Sequence, residues 1–351
     1  MSTLFARPLA AFALVLIALC LSAGAARAEL VWNPQNGWRL EGGALSGVSG
    51  PEARNALDLM NKARTAEEHG SKSSALRSYA KVTKKYPSSI YAAEAYYRSA
   101  KLYLTRRQYY QAFDSFEQIL VRYPNTKRFN EIIGEQYRIA SAMLDGARPR
   151  VFWGLIPGLP NRSKAIEYFE SILVFAPYSD YAPLALMNVA RGHLKQRNSE
   201  EAINALDRMI NSYPQSLLAP DAYLKLGQTH ASLVDGPYYD QGSTKEALTY
   251  FEDFMILYPN DSNVPTAAKG LDSMKQMLSE SKMKIGDFYF YKRSNYTAAR
   301  VFYNEAITAY PDSPVAKRAK QKLAEVEAKS AGKPAPVDTT APAKKKRFWL
   351  F

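Results

Sequence analysis

The sequence predicts an all-α solenoid of about six stacked helix pairs, with inserts between some pairs and disordered ends, on three observations. A helix-like apolar pattern ends on the same Tyr-Pro or Ala-Pro signal six times, at Pro87, Pro124, Pro177, Pro214, Pro259 and Pro311. The residues before each proline repeat in kind at fixed offsets. Small residues recur in the stretch after most of the prolines, where a second helix would begin.

Twelve residues before each proline stands an alanine: Ala75, Ala112, Ala165, Ala202, Ala247 and Ala299. Eight before come Tyr79, Phe116, Phe169, Leu206, Phe251 and Tyr303, and five before come Val82, Ile119, Ile172, Met209, Phe254 and Ala306. Steps of four, three and four residues place these side chains on one stripe of a helix with 3.6 residues per turn. Proline then ends the helix, because it restricts the preceding residue and has no amide to donate. After the turn, Ala92 and Ala95, Ala182 and Ala185, and Ala219 and Ala222 would let a second helix approach closely. The small, aromatic and proline positions follow the order of the tetratricopeptide repeat.

Successive prolines are 37, 53, 37, 45 and 52 residues apart, against about 34 for that repeat, so the excess marks inserts. "DGARPRVFWGLIPGLPNRSK" (145–164) and "DGPYYDQGSTK" (235–245) are the inserts, and 264–293 reads as an unusually long first helix. The expected organisation runs from a signal peptide (1–28) and an extended, loose lead-in (29–50) to N-terminal repeats (51–235). C-terminal repeats (236–329) and a disordered tail (330–351) follow.

The leader carries Arg7, the apolar run "LAAFALVLIALCL" and an A-x-A exit at Ala26 and Ala28, so export with cleavage after Ala28 is expected. Cys20 is the only cysteine and lies within this leader, between Leu19 and Leu21, a setting that favours cleavage over acylation. A formal net charge of +13 points to anionic lipid or acidic partners rather than nucleic acid. His69, His193 and His230 are scattered, and no phosphate loop, dinucleotide fingerprint or nucleophile elbow occurs, so no enzyme, metal or cofactor is expected.

Candidate binding residues are aromatic and cationic. Tyr91, Tyr96, Tyr97, Tyr103, Arg107 and Tyr109 fall in one tyrosine-rich stretch, where a repeat groove could hold an extended peptide; interhelix packing is the competing reading. Phe152 and Trp153 lie in the first insert, either folded back over the repeats or projecting toward a partner or membrane. The last eight residues join Lys344, Lys345, Lys346 and Arg347 to Phe348, Trp349, Leu350 and Phe351, a composition suited to anionic headgroups.

"DQGSTKEALTYFEDFMILYPNDSNVPTAAKGL" and "LSESKMKIGDFYFYKRSNYTAARVFYNEAITAYPDSPVAKRAKQKLAEV" resemble the BamD (YfiO) family of outer-membrane assembly factors. "YPSSIYAAEAYYRSAKLYLTRRQYYQAFDSF" is similar to that family's early repeats, and the resemblance covers about 52–328. It implies a non-catalytic scaffold at the periplasmic face of the outer membrane. Later repeats (245–327) would dock the periplasmic domains of the barrel-forming assembly protein, and earlier repeats (near 89–124) would contact unfolded outer-membrane proteins. Two features depart from the family: its usual N-terminal lipid anchor, for which the basic-aromatic tail could substitute, and its five repeats where six are counted here. The alternative is a periplasmic repeat adaptor for cell-envelope constriction or wall synthesis.

Overall fold

The computed structural model describes residues 29–41, 51–152, 154–238 and 241–331. The leader, residues 42–50, Trp153, Asp240 and the basic-aromatic tail (344–351) lie outside the described residues. The chain divides into two compact units, residues 1–161 and 162–351. The boundary therefore falls within the first insert, not at 235/236 as the sequence led us to expect. Seventeen residues, 145–161, separate the last helix of the first unit from the first helix of the second.

The first unit begins with a hairpin, β1 (Glu29–Asn33) and β2 (Gly37–Glu41), followed by α1 (Pro51–Glu68), α2 (Lys72–Lys85), α3 (Ala92–Thr105), α4 (Tyr109–Arg122) and α5 (Phe129–Leu144). A second hairpin, β3 (Arg150–Val151) and β4 (Ile156–Pro157), closes it. The second unit contains α6 (Arg162–Phe175), α7 (Tyr181–Lys195), α8 (Ser199–Ser212), α9 (Ala219–Ser232), α10 (Gln241–Leu257), α11 (Val264–Tyr291), α12 (Tyr296–Ala309) and α13 (Pro314–Ser330). The fold is an all-α tetratricopeptide-like solenoid.

All six prolines follow the ends of α2, α4, α6, α8, α10 and α12. The alanine, the aromatic or leucine, and the third apolar position of the stripe are buried in every one of these helices. The recurrent tyrosine before the proline also ties neighbouring repeats together. Tyr123 Oη donates to the Pro87 carbonyl (2.5 Å), and Tyr213 Oη donates to the Pro177 carbonyl (2.6 Å). Each bridge spans a 37-residue repeat, so the tyrosine hydroxyl sets spacing while its ring packs.

The turn into four of these helices shares a left-handed residue 17 positions before the proline. Gly70 (φ 75°), Arg107 (φ 54°), Arg197 (φ 61°) and Ser294 (φ 49°) occupy it. At Arg107 the carbonyls of the ending helix are satisfied by Gln108 N to Tyr103 O and Arg107 N to Leu104 O, both 2.9 Å. Asn198 N to His193 O (2.9 Å) and Arg197 N to Leu194 O (3.0 Å) repeat the pattern. This is a Schellman-type stop, where glycine is preferred because a Cβ is crowded in the left-handed region. Arg197→Gly is therefore expected to raise stability by about 0.5–1 kcal/mol, read as a shift in the urea midpoint.

The lead-in is not loose where it is described. Trp32 and Trp38 face each other across the β1–β2 register, with ring centroids 5.4 Å apart. The Trp38 amide donates to Asn61 Oδ1 of α1 at 2.9 Å, and its ring is buried with Ala56, Met60 and Tyr79. Arg64 and Arg98 each set a guanidinium 5.3 Å from one of the two indole centroids. The hairpin thus covers the apolar end of the first helix pair, which would otherwise face water.

The 28-residue α11, about 42 Å long at 1.5 Å per residue, organises the second unit. Its first half packs on α10 and its second half on α12. Gly227 of α9 and Gly270 of α11 both press on the Phe251 ring; a Cβ there would lie 2.7 and 2.6 Å from it. Gly286 is equally close to the Tyr303 ring, at 2.7 Å. Tyr303 Oη then donates to Asp287 at 2.7 Å, as Tyr79 Oη does to Glu67 at 2.9 Å in the first unit.

Candidate interaction surfaces

The tyrosine-rich stretch spans α3 and the start of α4. Tyr91 and Tyr97 are buried, a correction to their expected role as direct peptide contacts. Tyr91 joins the core with Trp38 and Tyr79. Tyr97 Oη donates to Glu131 of α5, its ring meets Phe116 edge-on at 6.0 Å, and the Arg128 guanidinium lies 4.1 Å from its centroid. Tyr96 is half-buried, 6.4 Å from the Tyr123 ring, and Tyr103 packs at the edge of the first core. Tyr109 is half-buried at the first position of α4, and Arg107 is exposed at the left-handed turn.

Around Tyr97, α1, α3 and α5 share a chain of alternating charges. Glu67 is 3.0 Å from Arg64 and 4.0 Å from Arg98; Arg98 is 2.8 Å from Glu94; Glu94 is 3.2 Å from Arg128. Buried Glu135 pairs with Lys101 at 2.7 Å and with Arg138. Some of these pairs lie within one helix and others, such as Lys101 with Glu135 and Arg128 with Glu94, join residues about one repeat apart. This arrangement fixes the register of three helices, with Lys101 and Arg138 still reaching water.

Burial, followed by the hydrogen bond and charge of Glu131, pushes the Tyr97 phenol up to about 12, with Arg128 opposing. Burial and Glu67 likewise push Tyr79 far above the ordinary tyrosine value. Both shifts favour the neutral phenol in the folded state, so their stabilisation is full below the unfolded value of about 10 and is lost as pH rises through the folded one. The melting temperature is expected to fall between about pH 10 and pH 12 as tyrosinate absorbance appears, and the fall is expected to be smaller in Tyr97→Phe.

Phe152 lies in the second hairpin at φ 48°, with 65% of its surface exposed. The insert does fold back: Arg150 N donates to the Arg107 carbonyl at 2.8 Å, and Gly154 sits against Arg106 and Gln108. That contact nevertheless leaves Phe152 in water.

A groove of about 930 Å³ in the second unit was not anticipated. Two successive proline turns line it, with Tyr178, Leu184, Tyr213 and Leu217 as its apolar parts. Tyr178 and Leu217 are almost fully exposed. Both stand just after a repeat-ending proline, a position the sequence marks only as a turn. A smaller pocket joins the second insert to α11, where Lys284 Nζ lies 3.7 Å from the Tyr238 centroid and Gln241 Nε2 donates to Ser281 Oγ at 2.5 Å. Among the described residues, no group of His, Cys, Asp or Glu could hold a metal ion. No described helix is long and apolar enough to cross a membrane.

These surfaces and the repeat register define a tetratricopeptide-type protein, and residues 94–126 match a tetratricopeptide repeat model. Residues 160–337 match the model of YfiO, described as outer membrane lipoprotein, and the chain belongs to that family. The match starts well before 235 and does not take in the first unit's helices. An outer membrane protein assembly factor BamD from Caulobacter vibrioides is 30% identical over 130 residues, 37% of this chain and 42% of the relative. That of Rickettsia prowazekii is 28% identical over 147 residues, 42% of this chain and 58% of the relative. The chain spans about half the length of the curated relatives it matches. A tetratricopeptide repeat protein from Parabacteroides merdae is 13% identical, covering 77% of this chain and 98% of its own, at a TM-score of 0.29.

Proposed function

We propose that the chain is a non-catalytic scaffold of outer-membrane β-barrel protein assembly, exported and held at the periplasmic side of the outer membrane. The observation that carries this reading is the coincidence of the family-matched stretch, 160–337, with the compact unit that begins at Arg162. The part of the chain that resembles the assembly factors is thus one folded body with its helix pairs intact. In it α10–α13 dock the periplasmic domains of the barrel-forming assembly protein. Unfolded outer-membrane proteins meet the earlier repeats, where Tyr96, Tyr103, Arg107 and Tyr109 remain at the surface or half-buried.

The action is presentation. A preformed surface lowers the ordering cost of a partner segment, so binding energy is not consumed in building the site. Gentle detergent extraction, affinity purification of the chain and mass spectrometry test this reading. Recovery of a barrel-forming assembly protein is expected; recovery of wall-synthesis or constriction proteins in its place would overturn it. The same spectra report the mature N-terminus, expected at Glu29 and without an acylated Cys20.

A further inference from the structure

We propose that the hairpin described by residues 149–152 and 154–160 is a membrane-interface anchor that dips into an anionic lipid leaflet. Four of its side chains are exposed and apolar: Phe152, Leu155, Ile156 and Leu159, with Leu155 at 75% and Leu159 at 82%. They fall within eight consecutive residues, a concentration that an ordinary soluble surface avoids unless something covers it.

Two observations choose lipid as the cover. The first is shape. Successive strand residues point to opposite faces, and in β4 both Ile156 and Pro157 are exposed. The other strand is half-buried at Val151 and seats the hairpin on the Arg106–Gln108 turn, so the apolar side chains project from the side turned to water, as a leaflet-facing edge requires. The second is charge. Between Asp145 and Glu167 the sequence holds no acidic residue, while Arg148 and Arg150 immediately precede the apolar tip and are exposed. Arg106 and Arg107 lie at the hairpin's base, joined to it by the 2.8 Å Arg150 N to Arg107 O bond. Arg150 Nη1 donates to the Gly154 carbonyl at 3.3 Å and Arg106 lies against Gly154, so guanidinium groups stand beside the apolar turn, the pairing of cation and apolar side chain that an anionic interface takes up.

The hairpin is also held stiffly enough to present that tip. Gly158 N donates to the Pro149 carbonyl at 2.7 Å, and Leu155 N to the Phe152 carbonyl at 3.1 Å. The ordering cost is therefore met before lipid is encountered. The inference rests on the scaffold reading only for which membrane is met, since vesicle binding by the isolated chain is independent of any assembly partner.

The test is flotation of the mature full-length chain with vesicles of phosphatidylethanolamine and phosphatidylglycerol, beside vesicles of phosphatidylcholine alone. Every variant keeps residues 344–351, so differences report the hairpin rather than the tail. Leu155→Asp/Leu159→Asp is expected to weaken binding to the anionic vesicles at least tenfold, with circular dichroism unchanged. Arg148→Gln/Arg150→Gln is expected to weaken it severalfold and to flatten its salt dependence. Binding by the leucine pair variant equal to that of the parent chain would overturn the proposal. So would unaltered vesicle binding accompanied by lost capture of an unfolded outer-membrane strand, which would assign the tip to a polypeptide.

Discussion

Phe251→Ala is expected to cost about 3–5 kcal/mol, the range for removing a large buried aromatic. Its ring is buried between Gly227 and Gly270, so two helix backbones approach it without an intervening side chain. Backbones of α9 and α11 cannot collapse into the space without moving whole helices, and the cavity therefore persists. Repeat proteins draw stability mainly from nearest-neighbour interfaces. The loss is expected to appear as faster amide exchange in α9, α10 and α11, with α1–α4 keeping their protection. Uniform loss of protection along the chain would show that the units unfold as one.

Gly270→Val is the opposite perturbation at the same seat and is expected to cost about 2–3 kcal/mol through overpacking. An added Cβ would stand 2.6 Å from the Phe251 ring, far inside van der Waals contact. Glycine in a helix interior is otherwise unfavourable by about 0.5–1 kcal/mol relative to alanine, so helix propensity alone predicts a gain here. The two changes share a volume, and combining Gly270→Val with Phe251→Ala is expected to cost at least about 1 kcal/mol less than their sum. Urea unfolding of the four species forming this cycle measures the coupling. Simple additivity would contradict the packing argument.

Much of this interface was legible in the sequence, because proline and a periodic stripe are local signals. Pro259, Ala247, Phe251 and Phe254 were enough to place one helix, its buried face and its end. What received the stripe was not legible, since Gly227 and Gly270 belong to other helices and lone glycines carry no label of their partner. The left-handed turn is an intermediate case. Gly70 marks the position openly, while Arg107, Arg197 and Ser294 hide it behind side chains that rarely adopt that conformation.

The hairpins were missed for a different reason. In "VWNPQNGWRL" two short apolar runs flank a turn-forming Asn-Pro-Gln-Asn-Gly, a recognisable hairpin pattern, but its glycine-rich surroundings suggested loose chain. Tyr91 and Tyr97 were misplaced because tyrosine suits both a groove and a core. Arg128 and Glu131, which capture Tyr97, are more than 30 residues away. Phe152 was legible as a residue of an insert, whereas its exposure depended on how the hairpin seats against Arg107. The second unit's groove arises only when two proline turns come side by side, which no single repeat announces.

The most direct test is site-specific photocrosslinking in living cells from exposed positions of α11 and α12, such as Phe288 and Val301. The scaffold account predicts adducts containing the periplasmic domains of a barrel-forming outer-membrane assembly protein. Adducts only with wall-synthesis or constriction proteins would contradict it.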